Sequence, residues 1–415
     1  MNVARPPKRR SPLRWPAGFS SLGHRDFRLL WFGALISNVG AWLQVVAQGW
    51  LVLQLANSAF ILGLVSAVGT VPIMILPLFG GVLADRVDRR VLLLIAQWVT
   101  MVLTLIMAYM TAYHSITIPA MLVLVLCIGI SSALSSPAWQ AFISDLAPKH
   151  DLLNAIALNA AQFNVARVLG PALAGTLIVL VGIAGCFLLN GLSFLAVIVA
   201  LHAMRLPRRT RPALTASPWQ SLREGVRYAA HHAEARAVLV LGTVHTIFGM
   251  PFMVLMPLFA RDVFHGKAGD LGALLSGMGV GAVGGALLTA RLGTMRRKGL
   301  FILGSEVVFA LSLVLFALMP NQLTAMVALA FVGFWMVSFF ATSNMVLQIL
   351  SGEEYRGRMM ALWTIASWGI GPVGSIWAGA YAAHYGAPAA VIFGAMVCLA
   401  AAVGMTALSP LLRIL

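Results

Sequence analysis

Residues 81–90 read Gly-Val-Leu-Ala-Asp-Arg-Val-Asp-Arg-Arg, a polar decapeptide between two apolar runs near 60–82 and 91–113. Each run is long enough to cross a hydrocarbon core as a helix, which takes about 20 apolar residues. The decapeptide is therefore a short connection between two spanning helices. Gly81 at its start permits close helix approach. An aspartate at a helix end, Asp85, can face the positive N-terminus of a neighbouring helix. Arg86, Arg89 and Arg90 can then pair with carboxylates on adjoining loops, Asp145 among them, and hold that face of the protein shut.

Working outward, runs of the same kind lie near 28–55, 118–137, 154–180 and 184–204. They resume near 236–258, 270–291, 299–319, 322–347, 358–383 and 387–410. Twelve crossings are expected. Continuous apolar runs of this length do not alternate as barrel strands must, so the spans are helical. Composition agrees: of 415 residues, 60% are hydrophobic and only 10% charged, with a mean hydropathy of +0.92. A soluble domain carries about 25% charged residues, so the bilayer is the solvent for most of this chain. Cys127, Cys186 and Cys398 sit far apart inside apolar runs and show no disulfide or metal spacing. No metal and no cofactor is expected. The segment ahead of the first span is basic and proline-bearing, and the apolar run after it is too long for a cleaved signal peptide.

The charges fix the orientation. The net charge of +16 would mark a nucleic-acid binder in a soluble protein, but here it follows from topology. Of 28 Lys and Arg, 25 fall in the two tails and the even-numbered loops. The odd-numbered loops hold only Arg261 and Lys267, and Arg167 lies within a span. By the positive-inside rule both termini are cytoplasmic. One overlooked span would invert that bias halfway along.

The longest polar stretch after the N-terminal tail is 205–235, where Pro, Ser and Thr precede a basic segment carrying Trp219, Arg223 and Arg227. It is expected to link two six-helix bundles, with its helix lying at the cytoplasmic interface. The organisation is a basic tail at 1–27, bundles at 28–204 and 236–415, and the linker between them. Landmarks recur across the linker: Gly81 with Gly285, Arg89-Arg90 with Arg296-Arg297, and Gly170-Pro171 with Gly371-Pro372, at near-constant offsets. Parallel repeats about an axis along the membrane normal produce this pattern.

The decapeptide resembles the loop 2–3 signature of the major facilitator superfamily, with Asp88 where glycine is usual. The resemblance covers nearly the whole chain. Stretches such as FRLLWFGALISNVGAWLQ and MPLFARDVF are similar to the enterobactin-exporter-like branch, also called transmembrane secretion effectors. That branch includes siderophore exporters and macrolide or multidrug efflux proteins. The resemblance implies an all-α, twelve-helix major facilitator fold in the bacterial inner membrane, working as a proton-driven exporter; the half-chain symmetry makes a monomer sufficient, because one cavity forms between two bundles. Span 5 carries Gly170, Pro171 and Gly175, which approximate the superfamily's antiporter signature with alanine at two of its glycine positions. Physically, Pro171 weakens the hydrogen-bond ladder and the small residues let the helix move against a partner; a plain structural kink fits the same residues. The superfamily's span 4 arginine is absent.

Ionisable residues within spans are few: Arg167, Glu306 and His245. A charge at mid-membrane costs about 2.5–3.5 kcal/mol even on lenient scales, so such residues face a cavity or a partner. Low-dielectric surroundings favour the neutral form of an acid, as a proton carrier requires. Glu306 and His245 are the proton-coupling candidates, although each can equally be a structural hydrogen-bonding group. Arg167 either neutralises an anionic substrate or pairs structurally. Ser37, Gly40, Gln44 and Gln48 share one face of span 1, bordered by Asn38 and Trp42, while Trp335, Ser338 and Thr342 repeat the pattern in span 10. The superfamily's cavity is lined by spans 1, 4, 7 and 10, so these residues are expected to meet a bulky, hydrogen-bonding substrate, or else to pack between helices. An importer of the same fold and a lipid flippase are the alternatives. No Walker-type string and no cluster of catalytic side chains is present, so ATP drive and enzyme chemistry are not expected.

Overall fold

The computed structural model describes residues 17–76, 79–80, 83, 87–148, 150–204, 218–291 and 297–408, and every regular element among them is helical. A 3-10 segment, Ala17–Gly23, leads into α1 (Arg25–Ala56), α2 (Ala59–Ile75), α3 (Arg89–Ala112) and α4 (Ile118–Leu146). Next come α5 (Leu152–Ala203) and α6 (Pro218–His231). The chain continues through α7 (Ala233–Val263), α8 (Ala268–Arg291), α9 (Lys298–Ala317) and α10 (Gln322–Leu350), and ends in α11 (Tyr355–Tyr385) and α12 (Ala387–Leu408). All but α2 and α6 are long and apolar enough to cross a membrane, ten helices among the described residues. The 52 residues of α5 break into two arms at Gly182, whose φ of 72° and ψ of 176° suit only glycine. The apolar α2 is shorter, but residues 79, 80 and 83 beyond it are helical too.

Local chemistry starts these helices. Ser58, Thr117 and Asn321 accept hydrogen bonds from Ile61, Ala120 and Thr324 N–H, satisfying donors that a first turn leaves open. Asp88 does the same for α3, accepting from Arg90 N–H at 2.8 Å and Val91 N–H at 3.4 Å. Its φ is −57°, so this turn does not need the glycine usual at that position.

Packing reveals the duplication. A Cβ on Gly129 would collide with the Gly69 carbonyl, where α4 meets α2; Gly333, at the equivalent place in the second half, stands likewise against the Met278 carbonyl, where α10 meets α8. Gly175 of α5 lies against Gly269 of α8, its added Cβ 2.9 Å from Gly269 Cα. Gly379, the counterpart of Gly175, packs α11 against Ala59 and Gly63 of α2. These last two contacts join the first half of the chain to the second. They lie at the helix ends that the charge distribution assigns to the outer side. Ser66 and Ser375 hydroxyls meet there at 3.4 Å, and Arg261 donates to the Leu53 carbonyl at 3.3 Å.

On the opposite side α6 lies on the second half. The Tyr228 hydroxyl donates to the Leu350 carbonyl at 2.7 Å, its ring stacks on Tyr355, and Glu224 pairs with Arg358 at 2.8 Å. Three π turns interrupt the second half: His245–Gly249 and Phe259–Val263 in α7, and Ile365–Gly369 in α11. Two of them touch, the Thr246 hydroxyl donating to the Ser367 carbonyl at 3.3 Å. Such turns mark points where a helix tolerates local rearrangement.

Candidate functional site

Two of the three ionisable residues within spans meet. His245 Nδ1 and Glu306 Oε2 lie 2.7 Å apart, with both side chains fully buried. His245 is on α7 at the first π turn. Glu306 is on α9, roughly 12 Å along the helix from Lys298 by helical rise. The imidazole stacks on Phe339 (ring centroids 4.7 Å, 10°) and is flanked by Phe309 and Phe340. His245 Nε2 and Glu306 Oε1 make no hydrogen bond to the protein. Cys398 of α12 completes the wall, its thiol 3.9 Å from the Val244 carbonyl. The pair is thus a hydrogen-bonded acid and base in a phenyl cage, each with one further polar atom buried and unbonded. Partners 61 residues apart share no local sequence signal.

The third ionisable residue, Arg167, sits elsewhere, between the two halves. It lies in the first arm of α5, before the break at Gly182. Its guanidinium stands 5.7 Å from the centroid of the Trp42 ring on α1, and Nη2 is 3.6 Å from Met336 Sδ on α10. Arg167 Nε is buried without a partner. Trp42 also contacts Phe163 edge-on, and one turn nearer the start of α1 Asn38 donates to Gln162 at 3.2 Å. Asn38, Trp42 and Arg167 therefore share one neighbourhood.

The rest of the polar face of span 1 does not join them. Gly40 packs against Asn190 and Ser193, and Gln44 is buried, accepting from Asn190 Nδ2 at 2.6 Å. Gly40 and Gln44 thus meet the second arm of α5, Ser37 of the same stripe is buried, and Gln48, one turn on, is half-buried. Helical spacing groups these residues on one face but does not say which neighbour that face meets. In α10, Ser338 is buried and donates to the Phe334 carbonyl, and Thr342 is buried as well. Trp335 borders a groove of about 580 Å³ on the α9 side, with Arg297, Phe301 and Ser305. Its neighbour Met336 is the residue that reaches Arg167.

In the decapeptide motif, Gly81, Asp85 and Arg86 lie outside the described residues, as does Arg296. Arg89 donates to Asp145 at 3.0 Å, tying the start of α3 to the end of α4, and Arg90 donates to the His202 carbonyl at 3.1 Å. Gly170 of the span 5 motif is closed against Trp42 Cβ, and the Pro171 carbonyl receives Gly272 of α8. Pro171 and Gly175 thus form one of the contacts between halves, and Gly170 packs within its own half.

One cluster had no sequence signal. Asp151, which begins α5, accepts from the Ser20 hydroxyl at 2.9 Å and pairs with His24 at 2.8 Å, with His150 3.6 Å away. Asn154 adds bonds to Ser21 and Gly18. Segment 17–24 is thereby clamped to the foot of α5. The His24 and Ser20 hydrogen bonds hold the Asp151 carboxyl below the ordinary carboxylate range.

Residues 16–412 match the family described as transmembrane secretion effector. The staphyloferrin A transporter of Staphylococcus aureus is 25% identical, over 81% of this chain and 85% of its own. The multidrug efflux pump Tap of Mycolicibacterium fortuitum is also 25% identical, over 85% and 88%. The crystal structure of the nucleoside transporter NupG superposes with a TM-score of 0.74 at 13% identity, covering 93% of this chain and all of that one; this likeness concerns the fold.

Proposed function

The chain belongs to the transmembrane secretion effector family of the major facilitator superfamily, and from that premise we propose a proton-coupled exporter of a small organic molecule, siderophore-like or drug-like. It is a membrane transporter rather than an enzyme, a multi-pass protein of the bacterial cytoplasmic membrane. On this reading twelve crossings form two bundles, 28–204 and 236–415, joined by 205–235 with both termini in the cytoplasm. They alternate about a site between them as a functional monomer.

The observation that carries proton coupling is the buried His245–Glu306 pair. A carboxyl and an imidazole 2.7 Å apart are side chains able to hold a proton and pass it between them, which is the chemistry a coupling site needs. The outer ends of the halves are joined through Gly175–Gly269 and Gly63–Gly379, so the reading assigns this form to the stage open toward the cytoplasm, where substrate loads. The Arg89–Asp145 pair, with Asp85 and Arg86 beside it in sequence, then serves the cytoplasmic gate in the opposite stage.

The test is purified protein in liposomes with an internal pH dye. A catecholate siderophore, a macrolide, a cationic dye and a sugar are offered in turn under an imposed proton gradient. Substrate-dependent proton movement supports the proposal. Uptake of substrate with the gradient dissipated and no proton movement would replace it with uniport, and lipid scrambling without solute movement would replace it with a flippase.

A further inference from the structure

Arg167 is a cation placed where no described side chain balances it. It lies about 22 Å along α5 from Leu152 by helical rise, and the arm continues to Gly182, so it stands deep within the spanning arm. A charge at such depth is retained where it meets a partner or serves a function. Among the described residues no carboxylate pairs with it: its contacts are the Trp42 ring and the Met336 sulfur, and Nε is buried and unbonded. The two other ionisable groups within spans, Glu306 and His245, bind each other. Among the described residues, the midline between the halves therefore carries one uncompensated positive charge.

The surroundings say what would balance it. A guanidinium offers a planar fork of N–H donors that matches a carboxylate or similar oxyanion. Trp42 and Phe163 provide apolar ring surface beside it, and the Asn38–Gln162 pair adds amide groups one turn away. The place also joins both halves, since Trp42 and Arg167 belong to the first and Met336 to the second. A ligand there would touch the two bodies that move against each other.

We infer that Arg167 is the recognition point for a negatively charged group on the transported molecule, so that the substrate is an organic anion with aromatic or other flat apolar surface. This deepens the export reading and rests on it for the word transported, but binding itself needs neither a gradient nor turnover.

The test is equilibrium binding to the full-length protein in phosphatidylcholine nanodiscs, read by tryptophan fluorescence. The probes share one ring system: naphthalene-2-carboxylate, 2-naphthylmethanol and 2-naphthylmethylammonium. Wild type is expected to prefer the carboxylate by at least about tenfold, the equivalent of one charge-assisted contact. Arg167→Lys should keep that preference in part, whereas Arg167→Gln and Arg167→Met should lose it and bind the alcohol as wild type does. Equal binding of all three probes by wild type would overturn the inference, as would a carboxylate preference surviving in both uncharged variants. If either uncharged variant fails to fold, the other and the wild-type ranking still decide. Nanodiscs containing phosphatidylglycerol separate the sources of the anion: competition by that lipid would assign Arg167 to a headgroup and refute a solute site. Anion binding through Arg167 in a protein that moves no protons would leave this inference standing and remove the proton-coupled one.

Discussion

Replacing Glu306 by glutamine removes one exchangeable proton and almost nothing else. Glutamine occupies the same space and presents an oxygen or an amide to His245 Nδ1, now 2.7 Å from Glu306 Oε2. The phenyl walls from Phe309, Phe339 and Phe340 remain. The fold should therefore lose about 1 kcal/mol or less, the net worth of one neutral hydrogen bond. Glu306→Ala, by contrast, leaves a buried imidazole without its partner at about 1–3 kcal/mol, and melts lower. Function should separate the variants differently. A gradient of one pH unit supplies about 1.4 kcal/mol per proton, so one-for-one exchange concentrates substrate about tenfold. Glu306→Gln should reach no accumulation under that gradient while still exchanging labelled for unlabelled substrate when no gradient is applied. Both quantities come from one set of liposomes, with the melting midpoint of each variant measured alongside. A glutamine variant that still accumulates substrate about tenfold would refute the assignment of the proton site to this pair.

Three further outcomes follow from local geometry. Gly175→Val places side-chain carbon against the Gly269 backbone, where even a Cβ would stand 2.9 Å from Cα; the outer-joined form should lose about 1–3 kcal/mol. A cysteine introduced by Ser66→Cys in the companion α2–α11 contact should then react faster with an impermeant maleimide, and unchanged labelling would show that the two contacts do not open together. Asp151→Asn should release segment 17–24, seen as faster amide exchange there. Since the folded carboxyl lies below its ordinary value of 3.8, its contribution to docking is complete above that pH and is lost as the pH falls through the lowered value; docking that weakens between pH 8 and 6 would trace to another group. Asp88→Ala should cost about 1 kcal/mol through the lost cap but Asp88→Gly only a few tenths, and equal melting losses would mean that the carboxylate works through something other than capping α3.

The membrane character, the helical class and the repeat were legible because each depends on quantities the sequence states directly: apolar run length, charge placement and residue spacing. The structure even sharpens the repeat, since Gly129 with Gly333 and Gly175 with Gly379 keep one common offset and do the same packing work in each half. What the sequence could not state was adjacency. Ser37 and Gln44 do share a face, as the spacing required, yet that face meets Asn190 rather than the space between the bundles. Glu306 and His245 were visible as isolated costs in the bilayer, and only the fold cancels them against each other. Asp151 had no sequence signature because its partners, Ser20 and Ser21, arrive from the far N-terminal side of four spanning runs.

The placement of the charges also shows how two separate sites can feel each other. Arg167 and the His245–Glu306 pair make no contact, so their linkage on the proposed reading must pass through a shared element. Helix α10 is that element. Met336 reaches the Arg167 guanidinium, while Phe339 and Phe340, close to it on the same helix, stack on and flank the His245 ring. On that reading, a change of charge in the cage would act on the Phe339 ring stacked there, and a ligand on Arg167 would have to displace or accommodate Met336. Both events then act on the position of the same helical turn. Close packing of α10 against α8, with Gly333 on the Met278 carbonyl and Gly285 on Phe334, leaves that turn little room to absorb strain locally, because tightly packed interfaces shift between discrete arrangements rather than deform. On the proposed reading, proton and substrate would therefore bias one mechanical coordinate from opposite ends of a single turn, and an exporter exchanging one for the other would need that linkage and no direct contact between its charges.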